Sequence, residues 1–161
     1  MHRLPTTPDE IDAIWLTEAL AVRHPGVRVA AVEVVARREV TNAHAQLRLR
    51  YDAPAGAPSQ MFCKMLPFSD PVRRQAIAGT GMGLREALFY ESLAPTLAMR
   101  VPTMHVACHD AGDGSFLLLL EDLASTGCTV SDGPTSVAPA AATTSALCFV
   151  TTSMRGRRVR A

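Results

Sequence analysis

Lys64 is the only lysine in 161 residues that also contain fifteen arginines. It lies inside Met61-Phe62-Cys63-Lys64-Met65-Leu66, an otherwise apolar run. A cation that only had to face water could as well be Arg, whereas Lys offers a compact, flexible point charge that reaches a phosphate oxygen from a strand where the guanidinium fork does not fit. The competing reading is a strand lysine whose stem lies on apolar surface while its ammonium reaches water. Glu86 bears on the choice. It follows on a segment with helical spacing, beside apolar Leu88 and Phe89, and can turn back toward Lys64. A Lys on a strand and a Glu on the next helix are the parts of a phosphate clamp: the carboxylate holds the ammonium, and the ammonium holds nucleotide phosphates. An ammonium among apolar neighbours also needs such a partner to offset its desolvation. Glu91, the rival carboxylate on the same segment, reads as a solvated helix charge.

A second group of polar residues ends Phe116-Leu117-Leu118-Leu119-Leu120-Glu121-Asp122-Leu123. An apolar strand that hands the chain to an exposed linker leaves backbone N–H and C=O groups able to pair with a nucleobase edge; a buried edge strand with polar punctuation has the same pattern. Cys63, Cys108, Cys128 and Cys148 are too scattered for a Cys-x-x-Cys motif or a Cys/His cluster, which points away from structural zinc and from a disulfide framework.

The elements that must position these groups follow from periodicity. Thr7-Pro8-Asp9-Glu10 has a hydroxyl cap, Pro at the first helical position and Glu three residues after the cap, predicting a helix over about 8–22. His24-Pro25-Gly26 breaks it. Val27 to Val35 is Val-rich, and Ala45 to Tyr51 alternates apolar and polar residues, so the two predict a hairpin whose second strand has one solvated face. Met61 to Leu66 is a third strand. From Pro71 the spacing is helical, with Leu84, Leu88, Phe89, Tyr90 and Leu93 forming a broad apolar face that ends at Pro95. Val101 to Cys108 and Ser115 to Glu121 are two more strands around the turn-forming Asp110-Ala111-Gly112-Asp113-Gly114. The expected fold is α+β: an antiparallel five-stranded sheet with an N-terminal helix and one packed helix.

At this point the chain resembles the aminoglycoside phosphotransferase and ecdysteroid-kinase-like enzymes, which have a protein-kinase-like fold. The resemblance covers roughly residues 8–123 and rests on Lys64, on Leu84-Arg85-Glu86-Ala87-Leu88-Phe89-Tyr90 and on Leu118-Leu119-Leu120-Glu121-Asp122-Leu123. It implies the nucleotide-binding lobe of such an enzyme. Lys64 would contact the phosphates of ATP, Glu86 would orient Lys64, and Glu121, Asp122 and Leu123 would form the hinge at adenine. Complete members also use Mg²⁺. Where the family has a glycine-containing loop between the first two strands, whose amides cover the phosphates, this chain has Arg37-Arg38-Glu39-Val40-Thr41-Asn42-Ala43-His44, and Phe62 is expected to crowd the adenine. The His-Gly-Asp-x-x-x-x-Asn catalytic loop and the later metal-binding Asp do not occur in the sequence. His109-Asp110 falls between two strands and before the hinge, so it does not replace them. The expectation is a family member that stops before its catalytic lobe and transfers no phosphate alone, with Leu118 and Leu120 lacking their usual cover.

Composition separates the ends of the chain. Residues 1–123 carry 12 basic and 14 acidic side chains, a net −2, while residues 124–161 carry 4 and 1, a net +3. The second segment has twelve Ser or Thr, seven Ala and no helical or strand period, and is expected to be a disordered tail. A net charge of +1 announces neither nucleic acid nor membrane as partner. With no leader-like start and no long apolar run, a cytoplasmic protein is the expectation. Besides the truncated phosphotransferase, a non-catalytic nucleotide- or protein-binding module is a second candidate. A DNA- or membrane-tethered protein using Arg155, Arg157, Arg158 and Arg160 is a third.

Overall fold

Asp12, and not Thr7, caps the first long helix. In the computed structural model, which describes residues 3–126, the Asp12 carboxylate accepts the Trp15 N–H at 2.7 Å and α1 runs Ala13–Ala21. The segment around Thr7 forms a separate 3-10 turn, Pro8–Glu10. There Glu10 reaches back to the Thr6 N–H at 2.7 Å, so the Ser/Thr-x-x-Glu pattern closes one residue early on a single turn. Ile11, with ψ of 86°, then ends it before a helix can propagate. The expected helix over 8–22 is thus a turn followed by a shorter helix.

Strands β1 (Arg28–Glu39), β2 (Ala43–Ala53), β3 (Gln60–Met65), β4 (Met104–His109) and β5 (Phe116–Glu121) form one antiparallel sheet in the order β1-β2-β3-β5-β4. The alternation in β2 is obeyed, with Ala43, Ala45, Leu47 and Leu49 buried and Arg48 and Arg50 exposed. Two apolar layers result. On one face Leu47, Leu49, Met61, Cys63, Met65, Leu117 and Leu119 pack against Trp15, Leu16 and Leu20 of α1. The Thr17 hydroxyl accepts the Val29 N–H at 3.0 Å and ties that helix to β1.

Among the described residues the opposite face is only half covered by helix. The helical segment expected from Pro71 to Pro95 is two α-helices, α2 (Pro71–Ala78) and α3 (Met82–Leu88), the second running on through a wide turn, Phe89–Leu93, and a tight one, Ala94–Thr96. Gly79-Thr80-Gly81 separates them, with Gly81 at φ 65°, a conformation that costs glycine nothing. Three helices therefore flank the sheet where two were expected. Helix α3 lies on β4 and β5, where Leu66, Ala87, Met104, Phe116, Leu118 and Leu120 form the second layer.

The face that α3 buries differs from the expected one. Leu88 and Leu93 are exposed, while Gly83, Ala87 and Ala94 are buried. The cause is close approach: a Cβ on Gly83 would stand 1.9 Å from the Phe116 ring. Only small residues fit that line, so the larger apolar groups turn outward. The same proximity corrects a second expectation, since Leu118 is fully buried and Leu120 is 5% exposed. Both are covered by residues of α3, β4 and β5. The expected tail begins with a 3-10 turn, Leu123–Thr126; residues 127–161, and so the disorder expected there, lie outside the described residues.

Candidate functional site

Strand pairing sets Lys64 opposite His44 on β2 and Leu118 on β5. Opposed residues share a face, so Lys64 projects from the side that α3 half covers. Because Gly83 and Ala87 let α3 sit close against Phe116, Glu86, one turn after Gly83, comes within reach of β3. The Lys64 Nζ donates to Glu86 Oε1 at 2.7 Å and to Oε2 at 2.6 Å. The two side chains are 18% and 25% exposed, so water screens the pair only partly. An ammonium has three N–H donors; one remains directable to a ligand. Glu91 is exposed and lies 3.9 Å from His109, so Glu86 and not its rival takes the ammonium.

From Lys64 a strip of sheet that no described helix covers leads toward the end of β5. There a recess of about 220 Å³ is lined by Val35, Gln46, Arg48, Gln60, Asp122, Ala124 and Ser125. Asp122 is buried and organises its floor. One carboxylate oxygen accepts the Gln46 amide at 3.4 Å and the other the Ala124 N–H at 3.1 Å, while the Asp122 carbonyl accepts the Ser125 hydroxyl at 2.6 Å. The 3-10 turn after β5 is thereby folded against β2. The arrangement presents amide, carboxylate and hydroxyl groups beside β2.

The proposed hinge residues divide. Asp122 lines the recess, but Glu121 points away from it: its carboxylate is held by the Arg100 guanidinium and accepts the Thr103 N–H at 3.0 Å. Those hydrogen bonds, Arg100 first, hold its carboxyl below the usual range. Leu123 opens the 3-10 turn and is not among the residues lining the recess. Phe62, expected to crowd the base, leans toward Lys64's row instead, with its ring centroid 5.2 Å from that of His44. It is not among the residues lining the recess either. The β1–β2 turn closes through the Val40 N–H to the Asn42 carbonyl at 2.9 Å, with no positive-φ residue in it. His109 ends β4, and Asp110 caps the following turn by accepting the Gly112 N–H.

Sequence reasoning missed Gln46 and Ser125 beside Asp122, and His44 beside Lys64. Gln46 and His44 were legible only as polar positions on the solvated face of an alternating strand. Strand register alone reveals that they adjoin Asp122 and Lys64.

Burial, with Glu86 nearby, raises the Tyr90 phenol to about 12, so it stays protonated beside the pair. Among the described residues no group of three or more His, Cys, Asp or Glu side chains converges to hold a metal. No helix of the described residues is long and apolar enough to cross a membrane. No protein-family model, curated protein or solved structure matches the chain.

Proposed function

We propose that the half-open sheet face binds a nucleotide, expected to be ATP, as the nucleotide-binding lobe of an aminoglycoside-phosphotransferase or ecdysteroid-kinase-like protein. The observation that carries this reading is the bidentate Lys64–Glu86 pair, built from the chain's one lysine and set at the edge of a strip that no described helix covers. In this role the recess at Asp122, Gln46 and Ser125 takes the base, and the ammonium of Lys64 takes the phosphates. Glu86 aims the ammonium and offsets its desolvation. ATP, if bound, supplies the transferable phosphoryl group; the residues named here bind and orient it.

The 161 residues contain no His-Gly-Asp string. On this reading the chain binds nucleotide and by itself transfers no phosphate, since a positioned acceptor and metal ligands are what that chemistry depends on. The second reading is a non-catalytic nucleotide- or protein-binding module, which needs no such string. Melting the chain with and without ATP tests the shared element. ATP at about a hundred times its dissociation constant should stabilise the chain by about 2.7 kcal/mol, several degrees of melting temperature. Lys64→Ala, compared with its own unliganded melt, should lose that shift. A purified chain that phosphorylates an aminoglycoside in a Lys64-dependent way would overturn the non-catalytic part.

A further inference from the structure

Beyond the wide turn Phe89–Leu93 the structure has a second recess, of about 200 Å³, which shares no lining residue with the one at Asp122. Ala94, Pro95, Val101, Pro102 and Met104 supply its apolar wall. That wall offers few backbone donors. The two prolines have no N–H, and the Ala94 N–H is given to the Phe89 carbonyl. Arg23, Tyr90 and Thr103 are the polar lining. Thr103 is already engaged: its N–H, at 3.0 Å, and its hydroxyl both go to the Glu121 carboxylate, and its carbonyl accepts the Glu121 N–H at 2.7 Å. Two donors remain, the Arg23 guanidinium and the Tyr90 hydroxyl, and among the described residues neither has a hydrogen-bond or ion-pair partner.

Both donors sit on fixed backbone. Arg23 lies just past α1, where its own N–H and that of His24 return to the Leu20 carbonyl at 3.0 and 2.8 Å. The Tyr90 ring meets Phe89 edge-on with centroids 5.3 Å apart, and burial first, then Glu86, keeps its phenol protonated. The neighbouring acids are engaged elsewhere, Glu121 by the Arg100 guanidinium and Glu86 by Lys64. We propose that this recess binds a small aromatic carboxylate, with its ring against Pro95, Pro102 and Met104 and its carboxylate on Arg23 and Tyr90. A guanidinium presents parallel N–H groups that match the two oxygens of a carboxylate, and such a charge-assisted pair is stronger than a neutral one. Met104 suits a ring, since a thioether makes favourable contact with an aromatic edge. The volume suits a single ring: an apolar cavity of about 150 Å³ takes benzene, whereas drug-sized sites run to about 300–1,000 Å³. Binding here needs no nucleotide at the Lys64 site.

The test is titration of the full chain, labelled with ¹³C at its methionine methyls, with phenylacetate, with benzyl alcohol as the ring without the charge, and with acetate as the charge without the ring. Met104→Leu assigns the Met104 resonance among the seven methionines. A ring seated in the recess should move that methyl saturably through its ring current, while Met61, fully buried in the other layer, stays in place. Benzyl alcohol and acetate should each bind about tenfold more weakly than phenylacetate, as loss of a charge-assisted pair or of the buried ring implies. Arg23→Gln should weaken phenylacetate about tenfold and leave benzyl alcohol unchanged. Arg23 is exposed, so this variant is expected to fold, and unliganded melts check it; Tyr90→Phe, which should weaken phenylacetate about fivefold, is the second variant. A Met104 methyl that stays in place up to the solubility limit of phenylacetate would overturn the site. So would equal affinity for phenylacetate and benzyl alcohol, or an Arg23→Gln chain that binds phenylacetate as the native one does.

Discussion

The ammonium of Lys64 on β3 lies 2.6 and 2.7 Å from the two carboxylate oxygens of Glu86 on α3, twenty-two residues later in the chain. The contact joins the one lysine of the sequence to the helix that crosses the sheet beside it. Two small residues of that helix, Gly83 and Ala87, make the distance possible.

Removing one partner should cost more than removing both. Glu86→Gln leaves an ammonium that is 18% exposed without its carboxylate, and an unpaired, partly buried charge costs about 1–3 kcal/mol. The double variant Lys64→Met with Glu86→Gln removes the unpaired charge and should recover much of that loss. A double-mutant cycle by urea unfolding measures the coupling. Strictly additive losses would show that the pair is too well solvated to matter.

Gly83→Ala should destabilise the chain by about 1–3 kcal/mol, because its Cβ would stand 1.9 Å from a Phe116 ring that is 2% exposed and has nowhere to retreat. It should also push α3 off the sheet and lengthen the Lys64–Glu86 contact. Loss of stability with an unchanged response to ATP would uncouple the packing from the site. By comparison, Leu118→Ala, under the same helix, should cost about 2–5 kcal/mol through its cavity.

Acid should weaken the unliganded fold in a window set by two histidines. Burial holds His44 and His105 below the ordinary value of 6.5, aided by Lys64 at the first and His24 at the second. Between the unfolded and folded values the unfolded chain binds more protons, so stability is whole above pH 6.5 and falls as pH drops from there toward the folded pKa values. Glu10, Asp113 and Glu121, whose carboxyls are held below their usual range, add losses only further into acid. Melting temperatures across this range check the sign, and His44→Gln and His105→Gln should each flatten the decline. A fold that gains stability on acidification would contradict it.

The sheet was legible in the sequence because its strands carry period two and Val-rich runs that no tertiary contact overrides. The Lys64–Glu86 pairing was legible too, since an ammonium flanked by Met61, Phe62, Cys63, Met65 and Leu66 requires a carboxylate. The helices were less so. Apolar count pointed to Leu88 and Leu93 as the buried side of α3, but contact distance decided for Gly83 and Ala87, and nothing in a single helix's periodicity reports how close its neighbour lies. Asp122, expected at a hinge, lines the recess, whereas Glu121 was claimed by Arg100, a partner twenty-one residues earlier that periodicity cannot assign. His44 was placed beside Lys64 only by strand register.

Because Lys64 is the one lysine of the chain, protein labelled with ¹³C at lysine Cε gives a single side-chain resonance to watch. Titration with ATP should move that resonance saturably, with a midpoint equal to the calorimetric dissociation constant, while adenosine moves it little and Glu86→Gln alters its starting position. A Lys64 resonance that stays in place through saturating ATP would contradict nucleotide phosphate binding at this site.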